Sequence, residues 1–165
     1  METLADVVAA PLRPVAAHER RSLWLGALDS SGDAGKVLTR SEFELLAQHA
    51  RGTAEDESTI AKDLNRSRIG GSAANDMSVA DQAILQQILR VYAVLDPGCG
   101  YCQGMNFVAG FLFLVFRDEQ LTFKALMRVA EIFDMSHLYK KELPKLKLFF
   151  YQLDRLIAMK LPQLH

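Results

Sequence analysis

Residues 101–116, which read Tyr-Cys-Gln-Gly-Met-Asn-Phe-Val-Ala-Gly-Phe-Leu-Phe-Leu-Val-Phe, decide the fold of this 165-residue chain. The stretch follows a Pro97-Gly98 break and is followed by the polar turn 117–119. A run that is apolar on every side predicts a helix that other elements bury completely. The apolar part, 107–116, has ten residues and is much shorter than the ~20 residues that span a bilayer. We therefore expect a buried core helix, and no transmembrane segment.

Working outward from this stretch, helical patterns account for most of the chain. Further helices are predicted over 18–28, from Thr39 or Ser41 to about 50, from Asp56 or Ser58 to 64 or 65, from Ser78 to 95, over 121–133 and over 142–160. No stretch alternates between apolar and polar residues as a half-buried strand does. The sequence therefore predicts an all-α fold, a compact multi-helix domain over residues 1–165, with a loop at 70–77.

The predicted helix after Ser78 carries the clearest local signals. Ser78 and Asp81 have the spacing of a capping box, with Asp in place of the usual Glu. Apolar residues then recur at the spacing of one helix face, namely Ile84, Ile88, Val91 and Leu95. The Pro97-Gly98 break ends this helix.

Composition excludes several classes of partner. The chain has 19 basic and 20 acidic residues and a formal net charge of −1, which argues against nucleic acid and against broad attraction to anionic membranes. Its two cysteines, Cys99 and Cys102, are too close in sequence to staple a fold and indicate a reducing compartment. The first thirteen residues lack the basic-then-apolar order of a signal peptide. We expect a cytoplasmic protein.

Two segments offer side chains suited to work on a partner. Gln103 is predicted in the first turn of the decisive helix, where a side chain can reach outward from rigid support. Arg66 is predicted at the exit of a helix that Ile60 and Leu64 anchor, with Asp63 three residues earlier and able to pair with it on the helix surface. Near the start of the chain, Arg21 is a candidate to orient Asp63, and Trp24, the only tryptophan, is a candidate core anchor.

These segments, in this order, resemble the TBC domain of the Rab GTPase-activating family. The family opens on an Arg-x-x-Trp-like element, continues with Ile-x-x-Asp-x-x-Arg-Thr, and later shows Tyr-x-Gln followed by Gly-Met. The matching residues here are Arg21 and Trp24; Ile60, Asp63, Arg66 and Ser67; and Tyr101, Gln103, Gly104 and Met105. The chain departs from the pattern at Ser67, where the family has Thr, and at Lys124, where it often has Trp. The resemblance ends at His165, whereas family domains continue into a C-terminal helical half.

The resemblance implies a GTPase-activating protein for a Rab-type small GTPase in vesicle trafficking. It implies that Arg66 enters the partner's site as an arginine finger and that Gln103 positions the attacking water as a glutamine finger. It also implies a supporting role for Arg21, Trp24, Asp63, Ser67 and Tyr101. GTP and Mg²⁺ would be carried by the partner, so the chain would need no cofactor of its own. Membrane contact would be peripheral, with recruitment to endomembranes through the partner.

Two other functions compete with this one. Cys99-Gly100-Tyr101-Cys102 is a Cys-x-x-Cys motif, which in a thiol oxidoreductase stands at a helix start after a strand; here a predicted helix precedes it. A helical scaffold that binds a GTPase without stimulating it would present the same surface without the catalysis. Gly98-Cys99-Gly100 matches a nucleotide-binding loop only weakly, since no strand leads into it and no Lys-Ser/Thr pair follows.

Overall fold

The computed structural model describes residues 16–30, 38–66, 77–140 and 142–164, and these contain helices and no strand. The all-α prediction is therefore confirmed for the described residues. The predictions for the first thirteen residues, for Ser67 and for nearly all of the loop 70–77 lie outside them. The chain divides into two compact units, Met1–Gly32 and Asp33–His165, and the expectation of one domain over 1–165 stays a prediction.

The first unit contributes one described helix, α1, which spans Ala17–Ser30. It extends one residue before and two residues after the predicted range of 18–28. Arg21 is exposed on this helix and Trp24 is half-buried.

The second unit is built from helices in close succession. In chain order they are α2 (Arg40–His49), α3 (Ala54–Arg66), α4 (Val79–Leu95), α5 (Met105–Phe116), α6 (Glu119–Ile132), α7 (Met135–Tyr139) and α8 (Pro144–Lys160), followed by a 3₁₀ turn at Pro162–Leu164. Helix α4 packs against α2, α3, α5 and α6 and is the centre of the unit, while α3 also contacts α5. Because α4 has neighbours on several sides, the helices that come before and after it in the chain pack around it.

Local capping signals fix where two of these helices begin. Ser78 and Asp81 form the predicted capping box at the start of α4, and Thr39 forms another with Glu42 at the start of α2. Each box satisfies backbone N–H groups that have no partner inside the helix. The predicted capping box is therefore confirmed, and the Asp carboxylate performs the role usually taken by Glu.

The buried face of α4 is broader than the predicted stripe. Ile88 and Val91 are fully buried as predicted, but Leu95 is 39% exposed. The remaining fully buried apolar positions include Leu85 and Leu89, which the stripe did not contain. The single stripe was therefore wrong for Leu95 and only partly right for Ile84, which is half-buried, because α4 packs against helices on more than one side.

Helix α5 is not fully buried, contrary to the prediction for residues 101–116. It begins at Met105, and it exposes Phe107 and Phe111 at 53% and 48%. Its other face, including Ala109 and Phe116, is completely buried. Helix α8 has no buried residue at all, although it is rich in leucine and phenylalanine. Of the helices described, none is both long enough and apolar enough to cross a membrane.

Candidate functional site

One face of α3 carries two carboxylates on either side of an apolar anchor. Asp56, Ile60 and Asp63 follow one another at spacings of four and three residues, which places them on the same side of a helix. Ile60 is completely buried and Asp63 is 1% exposed. The prediction that Asp63 lies on the helix surface was therefore wrong, because its side chain points into the protein.

Helix α3 is also fixed to the central helix by an ion pair. The Arg90 guanidinium on α4 donates from two nitrogens to the Glu57 carboxylate, with 2.9 Å between Nη2 and Oε2. The hydrogen bond to Arg90 lowers the pKa of Glu57 below its usual value. A bidentate pair of this kind restricts orientation as well as distance, so α3 has a defined position against the core.

Tyr101 connects α3 to the segment that precedes α5. Its hydroxyl donates to Oδ2 of Asp63 at 2.8 Å and lies 3.3 Å from Oδ1 of Asn106. Asn106 is 1% exposed, and its Oδ1 also accepts the backbone N–H of Gly104 at 3.2 Å. Burial, then the hydrogen bond to Asp63, raises the pKa of Tyr101 well above its usual range. The hydroxyl therefore stays protonated at neutral pH and can act as a donor to the carboxylate.

Gln103 lies in the turn that this network holds. It is exposed and stands two residues before α5 begins, so the prediction that it occupies the first turn of the helix was wrong by two residues. The next residue, Gly104, has φ +104°, a conformation that a residue with a Cβ adopts only under strain. This glycine turns the chain into α5 and leaves Gln103 outside the helix, where its side chain reaches solvent.

Arg66 is the last residue of α3. It follows Asp63 by three residues, which is about 4.5 Å along a helix axis. The structure describes its backbone and not its side chain. The hydrogen bond between Asp63 and Tyr101 therefore joins two segments, one ending at Arg66 and the other containing Gln103.

Arg21 and Trp24 lie on α1 in the first unit, and Ser67 is outside the described residues. Their supporting roles stay predictions.

Two residues of the network had no assigned site role in the sequence analysis. Asn106 was within the quoted stretch, but a single buried amide leaves no periodic signal. Asp56 was treated only as a possible helix start, yet its Oδ1 accepts the backbone N–H of Tyr101 at 2.9 Å. Asp56 lies seven residues before Asp63, with Ile60 between them, and this spacing could have identified it as a residue on the same face of the helix.

The cysteines have the wrong environment for thiol redox chemistry. Desolvation, followed by the charge of Asp96, raises the pKa of Cys99 to about 11, and desolvation also raises that of Cys102. A catalytic Cys-x-x-Cys thiol needs a lowered pKa, because the thiolate is the nucleophile. Helix α4 precedes the motif, and neither cysteine lies in the first turn of α5, which begins at Met105. The structure therefore disfavours the oxidoreductase alternative.

Replacing Tyr101 by phenylalanine is expected to destabilise the chain by about 1–3 kcal/mol, because the buried Asp63 carboxylate loses a donor. The free energy of unfolding, measured in urea, tests this. Tyr151→Phe is the matched control, since Tyr151 is 63% exposed on α8 and its change should stay within about 0.5 kcal/mol. Equal effects of the two substitutions would contradict a structural role for the Tyr101 hydroxyl.

Comparison with known proteins places the chain in a family. The model of the Rab-GTPase-TBC domain matches residues 19–165. The Drosophila melanogaster ecotropic viral integration site 5 ortholog is 26% identical over 153 residues, covering 93% of this chain and 18% of that protein. GTPase-activating protein GYP5 of Saccharomyces cerevisiae is 33% identical over 109 residues, covering 66% of this chain and 11% of that protein. Rab GTPase-activating protein eat-17 of Caenorhabditis elegans is 27% identical over 153 residues, covering 93% of this chain and 16% of that protein.

The family match includes α1 from Glu19 onward, the helix that ends at Arg66, and the segment that contains Gln103. The chain spans less than a fifth of the length of each of these three relatives. The helical fold of the described residues agrees with the family, whose domain is all-α. The chain belongs to the Rab-GTPase-TBC domain family.

Proposed function

We propose that the chain activates GTP hydrolysis by a Rab-type small GTPase, with Arg66 and Gln103 supplied in trans. The observation that supports this most directly is the partly buried hydrogen bond between Tyr101 and Asp63, at 2.8 Å. This hydrogen bond holds the segment that contains the exposed Gln103 against the last turn of α3, the helix that ends at Arg66. Two polar side chains distant in sequence thus originate from neighbouring backbone segments.

The proposed chemistry needs a cation and an amide. Negative charge develops on phosphate oxygens during GTP hydrolysis, and a preorganised cation beside them lowers the barrier. A guanidinium remains charged throughout the physiological pH range and offers donors in a fixed planar arrangement. The oxygen of a carboxamide can accept a hydrogen bond from the attacking water while its NH2 group donates to a phosphate oxygen. Neither group requires a shifted pKa.

Support for the two residues comes from the network around Tyr101. Asp63 and Tyr101 hold the two segments together, while Arg21, Trp24 and Ser67 are proposed as further support on the basis of the family pattern. GTP and Mg²⁺ belong to the partner, so the chain acts on another protein's active site. We place it in the cytoplasm, with recruitment to endomembranes through the GTPase.

The names of the relatives agree with this activity, since those of GYP5 and eat-17 both describe GTPase-activating proteins. Because the chain spans only a small part of each, the activity of the isolated chain has to be measured directly. Single-turnover GTP hydrolysis by a panel of Rab proteins, with and without the chain, provides that measurement. We expect faster hydrolysis by at least one of them.

The assay also separates catalysis from simple binding. A non-catalytic scaffold would bind the GTP-loaded GTPase and leave its hydrolysis rate unchanged. Affinity for the GTP-loaded protein, measured beside the rate, distinguishes the two functions. Binding without stimulation across the whole panel would support the scaffold and contradict the proposed activity.

A further inference from the structure

We propose that Asp56 is a positioning residue for Gln103, a role that rests on the proposed function and extends it. The carboxylate of Asp56 accepts the backbone N–H of Tyr101 at 2.9 Å, across 45 residues of sequence. Gln103 follows Tyr101 by two residues. The hydrogen bond therefore restrains the backbone immediately before the turn that contains Gln103.

The carboxylate is itself oriented by its own helix. Oδ2 of Asp56 accepts the Thr53 hydroxyl at 2.7 Å, and the Thr53 oxygen accepts the backbone N–H of Asp56 at 3.0 Å. Thr53 thus occupies the position of a helix N-cap. With one oxygen held in this way, the other is directed toward the backbone N–H of Tyr101.

Gly100, the residue before Tyr101, leaves room for this carboxylate. A Cβ added at Gly100 would stand 3.2 Å from Oδ1 of Asp56, and the residue has φ +62°. Both the short distance and the left-handed conformation favour glycine here. A side chain at this position would therefore press on the Asp56 carboxylate.

Asp56 and Asp63 together hold Tyr101 at its two ends. Asp56 binds the backbone nitrogen and Asp63 binds the hydroxyl, and both belong to α3. If the Asp56 contact is lost, the side chain of Tyr101 remains anchored, but the backbone from Gly100 to Gln103 gains freedom. Asp63 therefore maintains the packing of the segment, whereas Asp56 sets the path of its backbone.

We expect Asp56→Ala to lower kcat for stimulated hydrolysis by about 10- to 100-fold, since a displacement of about 1 Å in a positioned group has effects of that size. The KM for the GTPase should stay within about threefold, because the interface surface is unchanged. Asp56→Asn keeps an oxygen for Tyr101 and should restore most of the rate. Glu55→Ala is the matched control: Glu55 is exposed in the same first turn and should leave kcat unchanged.

Coupling between Asp56 and Gln103 distinguishes positioning from general destabilisation. In a Gln103→Ala background, Asp56→Ala should lower kcat by less than about twofold, because the group that it positions is gone. An undiminished effect of Asp56→Ala in that background, or full activity of the single variant, would overturn the proposal. If Asp56→Asn lowered kcat as much as Asp56→Ala does, the proposal would also be overturned.

Amide hydrogen exchange gives a result that does not depend on catalysis. The Tyr101 amide should be protected in the wild type and in Asp56→Asn, and should exchange at least about tenfold faster in Asp56→Ala. The amide of the buried Leu89 in α4 reports global unfolding and should be unaffected. Equal exchange of the Tyr101 amide in wild type and Asp56→Ala overturns the proposal. A wild type that stimulates no GTPase contradicts the proposed function instead, and leaves the exchange result to decide whether Asp56 holds the turn.

Discussion

Replacing Arg66 by alanine is expected to lower the stimulated rate of GTP hydrolysis by about 10³- to 10⁵-fold, the range known for arginine fingers supplied to Ras-type GTPases. The variant loses the cation that would neutralise charge on the phosphate oxygens in the transition state. Because this charge develops during the reaction, the loss should appear in kcat more than in KM. Single-turnover hydrolysis at saturating chain concentration measures it.

Two further variants sharpen the test of Arg66. Arg66→Lys keeps the charge but loses the planar set of donors, so most of the rate should still be lost. Arg155→Ala removes an exposed arginine on α8 and should leave stimulation unchanged. Stimulation that survives Arg66→Ala would show that the cation comes from elsewhere and would remove this residue from the mechanism.

Replacing Gln103 by alanine is expected to lower kcat by about 10²- to 10³-fold, the usual effect of removing one preorganised hydrogen-bonding group from a reacting centre. The reason is that the amide both accepts from the attacking water and donates to the phosphate. Gln103→Glu has nearly the same shape but cannot donate when ionised, so it should be about as inactive as the alanine variant. The same single-turnover assay measures both.

Gln48→Ala is the control for Gln103, since Gln48 is exposed on α2 and its loss should not change the rate. Binding should be affected much less than catalysis by either substitution. Neither alanine variant should weaken affinity for the GTP-loaded partner by more than about tenfold, because most of an interface lies outside the reacting centre. A Gln103→Ala variant with normal kcat and weak binding would make Gln103 an interface residue and nothing more.

Local signals in the sequence predicted the local structure well. The capping box at Ser78 and Asp81 and the break at Pro97 both set helix ends as predicted. These features depend on neighbours in the chain, so one short stretch contains all the necessary information. The segment around Gln103 was identified from six consecutive residues, but the start of α5 was predicted too early.

Side-chain direction was harder to predict, because it depends on contacts distant in sequence. Phe107 and Phe111 belong to a helix that is apolar all round, and periodicity cannot say which apolar side remains exposed. Asp63 has the residue type of a surface position, yet it is buried because Tyr101, 38 residues later, supplies a donor. The role of Asp56 was missed for the same reason, since its partner is a backbone group that has no sequence signature.

The spacing between the two carboxylates of α3 limits how this region can change in length. Seven residues amount to just under two helical turns, so Asp56 and Asp63 point the same way. Substitutions at exposed positions between them, such as Lys62, leave this alignment intact. An insertion or deletion of one residue would rotate one carboxylate by about 100° relative to the other, and Tyr101 could no longer reach both. Length variation among related chains is therefore expected outside this interval and not within it.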